Sequence, residues 1–527
     1  MLRPARPLRQ GGTRAGSRAW AIHAGVFPAA LALTLIAWGP ALDGWFLLDD
    51  YRWVMPSDRS FDVLRSFVST WGHGVAYRPI MRVSFLADLE AFGWNAWAWH
   101  LHNLVLHAVN VTLLWSLIRA ATSSWPLAAA IAALFAVSPL GHENIAWISG
   151  RTHLLGVTFL LISANLLLRT AFAGESDKTD AADEAGESRL LTWGGLAAFV
   201  AAMATYEPMM VLPLVALITV MCFPSARALR PILLLFAVLV AFAAIRFVML
   251  RGQLGTVGPR SPWMFYEPIR WWIAIFVMPG DMMRTFVPLV VIAAFAASWL
   301  LMRMQPSLTP PAAKRVHVWL ALVALAIFLP FSTSIGIPDR FLYLVQVPGI
   351  AAVVLLLWLI ARTSRIGEIA AAAIVVTLIA AGIAGSRQAA RDWASAGAIV
   401  RAVATELKRL YPVLPEGVDV VIDGVPLRVG RADVYVLYTR EAVLQAYSDD
   451  LDRSLALDPN RRPDRHDIRV FFAEDLRSPG SYHVRSAAPA LDPHRPARRF
   501  HFDLDTLTLA ELPALSGEQA HDAPSIR

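Results

Sequence analysis

The chain has 527 residues, 56% of them hydrophobic and only 17% charged, against about 25% charged in ordinary globular proteins. With a mean hydropathy of +0.50, that balance excludes a disordered chain and a wholly soluble one. A single cysteine, Cys222, excludes an internal disulfide and a cysteine metal cage.

A helix crossing the bilayer needs about 20 mostly apolar residues. Blocks of that kind lie near 20–41, 98–119, 126–141, 153–172, 190–205, 208–223, 231–250, 285–303, 318–336, 342–361 and 368–386. They predict a mainly α, polytopic transmembrane protein of about eleven spans. The stretch from Leu190 to Phe223 is too long for one span, and Tyr206-Glu207-Pro208 divides it. Trp271–Met278 is a candidate re-entrant or interfacial piece.

Lys and Arg are enriched in short cytoplasmic loops. The N-terminus carries Arg3, Arg6, Arg9, Arg14 and Arg18. Alternate loops then carry Arg119, Lys178 with Arg189, Arg227 with Arg230, Lys314 with Arg315, and Arg362 with Arg365. All fall on one side if residues 1–19 form a basic cytoplasmic N-terminus. The net charge of +7 is then a topology signal, and nucleic acid is excluded as a partner. The apolar block after it is too long, and lacks a small-residue site, for a cleaved signal. The run Glu175–Glu187 reads as a solvated cytoplasmic loop.

Residues 20–386 therefore form the membrane domain, with a first external loop at 42–97. After Ser386 the apolar blocks stop. A helix is expected over 387–410, with Trp393, Ile399, Val400, Val403 and Leu407 at helical spacing. Short β-like runs follow at Val418–Ile422, Val434–Tyr438, Ile468–Phe472 and Phe500–Leu504, with a helix at 440–449. Residues 387–513 thus read as a small extracytoplasmic α+β domain, and 514–527 as a flexible tail.

Ionisable groups at a membrane are costly and mark functional sites. On the external side they fall in a few places. Asp49-Asp50 lies just beyond the first helix, where adjacent carboxylates suit a general base and a charge partner; a helix cap or solvated loop is the plainer alternative. Tyr77-Arg78-Pro79 offers a guanidinium fork suited to phosphate. His100, Asn103 and His107 share one helix face, as a substrate-facing stripe or a polar seam between helices. His142, Glu143, Trp147 and Arg151 follow in Ser138–Arg151, and Asp339-Arg340-Phe341-Leu342-Tyr343 opens the tenth span. Span centres are almost wholly Ala, Leu, Val and Ile, apart from Arg246, which counts against a transporter.

Taken together, these residues resemble the GT-C superfamily of integral-membrane glycosyltransferases. The nearest pattern is the membrane half of the transmembrane and tetratricopeptide-repeat O-mannosyltransferases and their bacterial relatives. The family's aromatic-x-x-Asp-Asp is similar to Phe46–Asp50, its Tyr-Arg-Pro to Tyr77–Pro79, and its His-x-x-Asn-x-x-x-His to His100, Asn103 and His107. Its Phe-Ala-x-x-Pro…Glu-x-x-x-Trp-x-x-Gly-Arg run is approximated by Phe135, Ala136, Pro139, Glu143, Trp147, Gly150 and Arg151, and its Glu-Arg-Tyr-Leu-Tyr by Asp339–Tyr343. The likeness covers about 350 residues and is strongest over 42–165. The family's His before the Pro is Ser138 here, its Lys-Glu is Tyr206-Glu207, and its repeats are absent.

The resemblance implies a polyprenyl-phosphate-linked sugar donor, inversion at the anomeric carbon, and a protein or glycan acceptor whose hydroxyl is deprotonated by Asp50 or Asp49. It implies phosphate stabilisation by Arg78, Arg151 and Arg340, with His100 and His142 as donors, and Asn103, His107 and Glu143 lining the site. It leaves a divalent cation open and assigns no cofactor. The alternative is a non-catalytic scaffold or assembly factor of the cell envelope that keeps the fold. With eleven spans and the N-terminus inside, a reporter fused to the C-terminus is expected to work only outside the cytoplasm. Activity of a cytoplasm-only reporter at that end overturns the topology.

Overall fold

The computed structural model describes residues 14–51, 63–70, 76–172, 181–223, 229–251, 282–306, 311–328, 339–413, 418–426, 428–434, 468–472 and 497–512. Val434–Tyr438 after its first residue, the helix at 440–449, Trp271–Met278 and the tail at 514–527 lie outside them. The part of 318–336 after Phe328 also lies outside them, and within the described residues each expected apolar block overlaps a helix. In chain order these are α1 (Arg14–Trp38), α2 (Pro79–Phe92, in the first loop), α3 (Ala96–Thr122), α4 (Trp125–Ala136), α5 (Arg151–Phe172), α6 (Ala181–Thr205), α7 (Leu212–Cys222), α8 (Leu229–Met249), α9 (Met282–Met304), α10 (Pro311–Phe328), α11 (Leu342–Ala361) and α12 (Arg365–Leu410).

Among the described residues, six helices are by themselves long and apolar enough to cross a membrane. A seventh candidate is α4 with the segment Pro139–Ile145, bent by 49°. Leu190–Thr205, Glu207–Cys222 and Val291–Met304 are apolar but shorter. Residues 181–187 of the expected acidic loop instead open α6, since Ala and Glu are strong helix formers.

Prolines and caps set the boundaries. Ser124 caps α4, its Oγ accepting from Leu127 N at 3.4 Å, and Ser364 caps α12, accepting from Gly367 N at 3.0 Å. Pro139 and Pro208 cannot continue a helix, so the chain breaks into short 3₁₀ turns at both. The break after α4 orphans carbonyls in the core, where an unpaired acceptor costs about 1–3 kcal/mol. Trp38 Nε1 of α1 donates to Ala136 O at 3.0 Å, and His107 Nε2 of α3 bonds the same oxygen at 3.1 Å. Ser386 Oγ of α12 donates to Val137 O at 2.8 Å. Three helices are thus fastened to one broken one.

The expected boundary at Ser386 is not a break. Helix α12 runs 46 residues, about 69 Å at 1.5 Å per residue. Its first half exposes Ile366, Ile369 and Val376, as a lipid-facing helix does, while Ala389, Trp393, Ala396, Val400, Val403 and Leu407 of its second half are buried. That second half packs on the turn after α1 and on the sheet domain.

The sheet has the order β4 (Ile468–Phe472), β1 (Val418–Asp423), β5 (Ala497–Asp503), β6 (Thr508–Leu512), with β1 parallel to both neighbours and β5 antiparallel to β6. Phe500 and Phe502 point inward and His501 outward, the period-two pattern of a half-buried strand. A small hairpin, β2 (Arg428–Val429) and β3 (Ala432–Asp433), leans on α12. Its turn is held by Asp392, whose Oδ2 accepts from Arg431 N at 3.0 Å.

Where α12 meets the first loop, Gly397 lies so close that a Cβ would stand 2.6 Å from Trp45 N. Gly→Ala in an open helix stabilises by roughly 0.5–1 kcal/mol, and Gly25 in α1 has nothing within 4 Å of such a Cβ. Gly25→Ala is expected to hold or raise the melting temperature. Gly397→Ala is expected to lower it, at about 1–3 kcal/mol of overpacking, in thermal unfolding of the detergent-solubilised protein.

Candidate active site

The turn after α1 places the two adjacent carboxylates in different surroundings. Asp50 N donates to Leu47 O at 2.9 Å, and Leu47 N donates back to Asp50 Oδ2 at 2.8 Å. Leu48 takes a left-handed φ of +49°, which costs roughly 1–2 kcal/mol in a residue with a Cβ. Asp50 has no exposed surface, and its Oδ1 accepts from Ser149 N at 2.8 Å and from Ser149 Oγ. It joins the first loop to the segment before α5. Burial pushes its carboxyl up from 3.8 to about 7, against the lowering effect of these three donors. Asp49, by contrast, is partly exposed, and its charge acts on Arg78.

Arg78 precedes Pro79, which opens α2 and excludes Arg78 from the helix. Its Nε donates to both oxygens of Glu207, at 3.1 and 3.0 Å, and its Nη2 lies 2.9 Å from Oε2. The guanidinium stands 5.0 Å from the Tyr206 ring centre. Arg246, in the last turn of α8, reaches the same carboxylate at 2.7 Å. Burial would raise the Glu207 pKa, but Arg78 and Arg246 outweigh it and hold the carboxyl below its usual range. Two cations thus share one anion. On the other side Glu143 Oε2 accepts from Arg340 N at 3.0 Å, with Arg340 Nη1 at 3.8 Å. The Arg340 guanidinium lies 5.7 Å from the Trp147 ring centre.

Several expected ligand-binding residues have their hydrogen bonds within the protein. Arg151 has no exposed surface; it is paired with Asp88, donates to Asn103 Oδ1 at 3.0 Å and to Trp99 O at 3.2 Å, and lies between Phe85 and Trp99. Asn103 Nδ2 donates to Trp147 O and Ile148 O. His107 accepts or donates at 2.7 Å with the Tyr343 hydroxyl, itself held by Asn110. His142 Nδ1 accepts from Trp393 Nε1 at 3.0 Å. His100 is buried against Gly44 and Trp45, with neither ring nitrogen in a hydrogen bond of good geometry. The polar-seam reading of this helix face fits its geometry.

Asp49, Arg78, Glu143 and Arg340 remain as the partly accessible polar set. The structure adds Glu207, Arg246, Tyr206, Ser149, Asp88 and His153, which the motifs did not single out as site residues. Arg246 carried a signal, because a charge inside a span needs a partner; Asp88 lies in the amphipathic α2 and carried none. No three His, Cys, Asp or Glu side chains are gathered to hold a metal among the described residues, so no cation site is assigned.

No protein-family model matches the chain. It is 32% identical to Protein O-mannosyl-transferase TMTC1 of Mus musculus over 173 residues, 29% of this chain and 18% of that protein. It is 31% identical to TMTC1 of Homo sapiens over 157 residues, 26% and 18% of the two chains. The chain thus matches less than a fifth of the length of these curated relatives. A solved structure, ArnT from Cupriavidus metallidurans bound to undecaprenyl phosphate, aligns over 93% of this chain and 94% of its own, at 15% identity and a TM-score of 0.47. The resemblance to GT-C O-mannosyltransferases read from the motifs is borne out by the TMTC1 relatives.

Asp50 yields a prediction for stability. Asn keeps one acceptor oxygen and turns an amide N–H toward a backbone N–H, so Asp50→Asn is expected to cost about 1–3 kcal/mol. The folded carboxyl holds its proton to about pH 7, whereas the unfolded one releases it near 3.8. Between those values the folded state binds more protons, so Asp50's contribution to stability falls as pH rises. Melting temperatures taken from pH 4 to 8 are expected to show that slope in the wild type and a smaller one in Asp50→Asn.

Proposed function

We propose that this chain is a membrane glycosyltransferase that moves a sugar from a polyprenyl-phosphate donor to an acceptor hydroxyl, with inversion, using Asp49 as general base. The observation that carries it is the different setting of the paired carboxylates. Asp50 is buried and hydrogen-bonded to two backbone N–H groups and a hydroxyl, whereas Asp49 is partly exposed beside Arg78. A base must reach the proton it takes, and a carboxylate without exposed surface does not.

In this reading the acceptor O–H proton passes to the Asp49 carboxylate as the acceptor oxygen attacks the anomeric carbon. The bond from that carbon to the lipid phosphate breaks, and the phosphate leaves with the electron pair. Arg78 and Arg340 stabilise the charge that develops on it, preset by Glu207, Tyr206 and Glu143 so that little reorganisation accompanies the reaction. Arg151 belongs to the support: it fixes Asn103 and hence the backbone at Trp147–Ile148, just before Ser149.

Two of the departures from the family pattern, Ser138 and Tyr206, have local accommodations. Ser138 Oγ donates to Gln346 Oε1 at 2.5 Å, a bond internal to the scaffold. Tyr206, in place of a lysine, presents its ring to the Arg78 guanidinium, a cation–π contact that keeps a positive charge at this spot. We place the site and the sheet domain on the extracytoplasmic side, on the strength of the basic-loop pattern.

Asp49→Asn is expected to lower sugar transfer from a polyprenyl-phosphate donor, assayed in membranes, by about 100-fold or more, with the melting temperature unchanged. Transfer at the wild-type rate by that variant overturns the assignment of the base.

A further inference from the structure

His153, in the first turn of α5, is 6% exposed, and neither ring nitrogen has a hydrogen-bond partner. Its ring centre lies 4.2 Å from that of Tyr206 and 6.0 Å from that of Phe341. Arg340 and Arg78 are both near enough for their charges to act on it. Buried polar atoms in folded proteins are almost always satisfied, and an exception points to a missing water, ion or ligand. A buried imidazole carries one N–H donor and one acceptor as a neutral ring; here both are idle.

The surroundings select the ligand. Arg78 leans on the same Tyr206 ring as His153, and Arg340 approaches from the segment that carries Phe341. Glu207 neutralises only part of the local charge, since Arg246 shares it with Arg78. Side chains of Arg340 and Arg78 keep 32% and 18% of their surface exposed, so the cluster opens to the outside on that side. A donor against the Tyr206 ring that Arg78 covers and the Phe341 ring that Arg340 approaches suits a tetrahedral oxyanion. Guanidinium forks recognise phosphate through several N–H groups at once, and an imidazole N–H adds one more directed contact.

We propose that His153 donates a hydrogen bond to a phosphate oxygen of the ligand held between Arg78 and Arg340. The phosphate is the one of the lipid-linked donor and of the polyprenyl phosphate left after transfer, which rests on the function proposed above. Its unsatisfied nitrogens are then the mark of a site shaped for a bound state.

The test uses the full chain in lipid nanodiscs, with undecaprenyl phosphate and inorganic phosphate as separate probes and the melting temperature as readout. A ligand that binds the folded state raises it in proportion to affinity and concentration. Undecaprenyl phosphate is expected to stabilise the wild type, and His153→Gln, which retains an N–H donor, to keep most of that effect. His153→Leu is expected to melt at or above the wild-type temperature without ligand, because it removes an unsatisfied buried polar ring. It is expected to bind undecaprenyl phosphate about tenfold more weakly or worse. His501→Ala, on an exposed strand position, is expected to match the wild type throughout. Unchanged affinity in His153→Leu overturns the proposal, as does a marked loss of ligand-free stability, which would mark the ring as structural. If inorganic phosphate binds in a His153-dependent way while undecaprenyl phosphate does not bind, the anion contact stands and the lipid-donor reading falls. If neither probe binds the folded wild type, both fall.

Discussion

A carboxylate with no exposed surface, Asp50, holds together two parts of the chain that are ninety-nine residues apart. Removing a carboxyl group from water is costly unless donors replace the water. Leu47 N, Ser149 N and Ser149 Oγ are those donors. Satisfying them fixes the turn at Leu47–Asp50, imposes the left-handed backbone at Leu48, and ties that turn to the segment entering α5. The neighbouring Arg151 acts under the same constraint. Buried beside Asp88, Asn103 and the Trp99 carbonyl, it sets the backbone around Trp147 from the other side.

In the proposed reaction, preorganisation follows from this packing. A catalytic group is held best by side chains that are themselves locked by other bonds. Asp49 lies between residues fixed by the Asp50 hydrogen bonds. Arg78 is held by Glu207 and Tyr206, and Arg340 by Glu143 through its backbone N–H. These residues come from the first loop, the break between α6 and α7, the segment before α5 and the start of α11. Helix α12 adds a link from the sheet domain, through Trp393 stacked on Trp147 at 5.9 Å and hydrogen-bonded to His142.

Much of the fold was legible in the sequence because hydropathy blocks and prolines are local signals. Among the described residues the eleven apolar blocks overlap helices, and the breaks at Pro139 and Pro208 follow from proline's missing N–H. The strand at Ile468–Phe472 was legible for the same reason. The continuity of α12 was not, since its lipid-facing and domain-facing halves differ in composition while sharing one helical backbone. The charged residues were legible as a group and not one by one. The motif around His100–His107 and Arg151 has the same residue types whether it faces a ligand or a neighbouring helix. Only long-range packing against Tyr343, Ala136 and Asp88 separates the two. His153 lacked any signal of its own, because an isolated histidine at a helix start is noticed only once its partners are counted.

The proposed reaction is a single displacement at the anomeric carbon, with Asp49 taking the acceptor's proton as the lipid phosphate departs. The measurement that tests this most directly is the anomeric configuration of the sugar in the product, determined by NMR after transfer from a donor of known configuration. The account predicts the opposite configuration in product and donor. Retention of configuration, or no transfer by the folded protein from any polyprenyl-phosphate sugar, would contradict it.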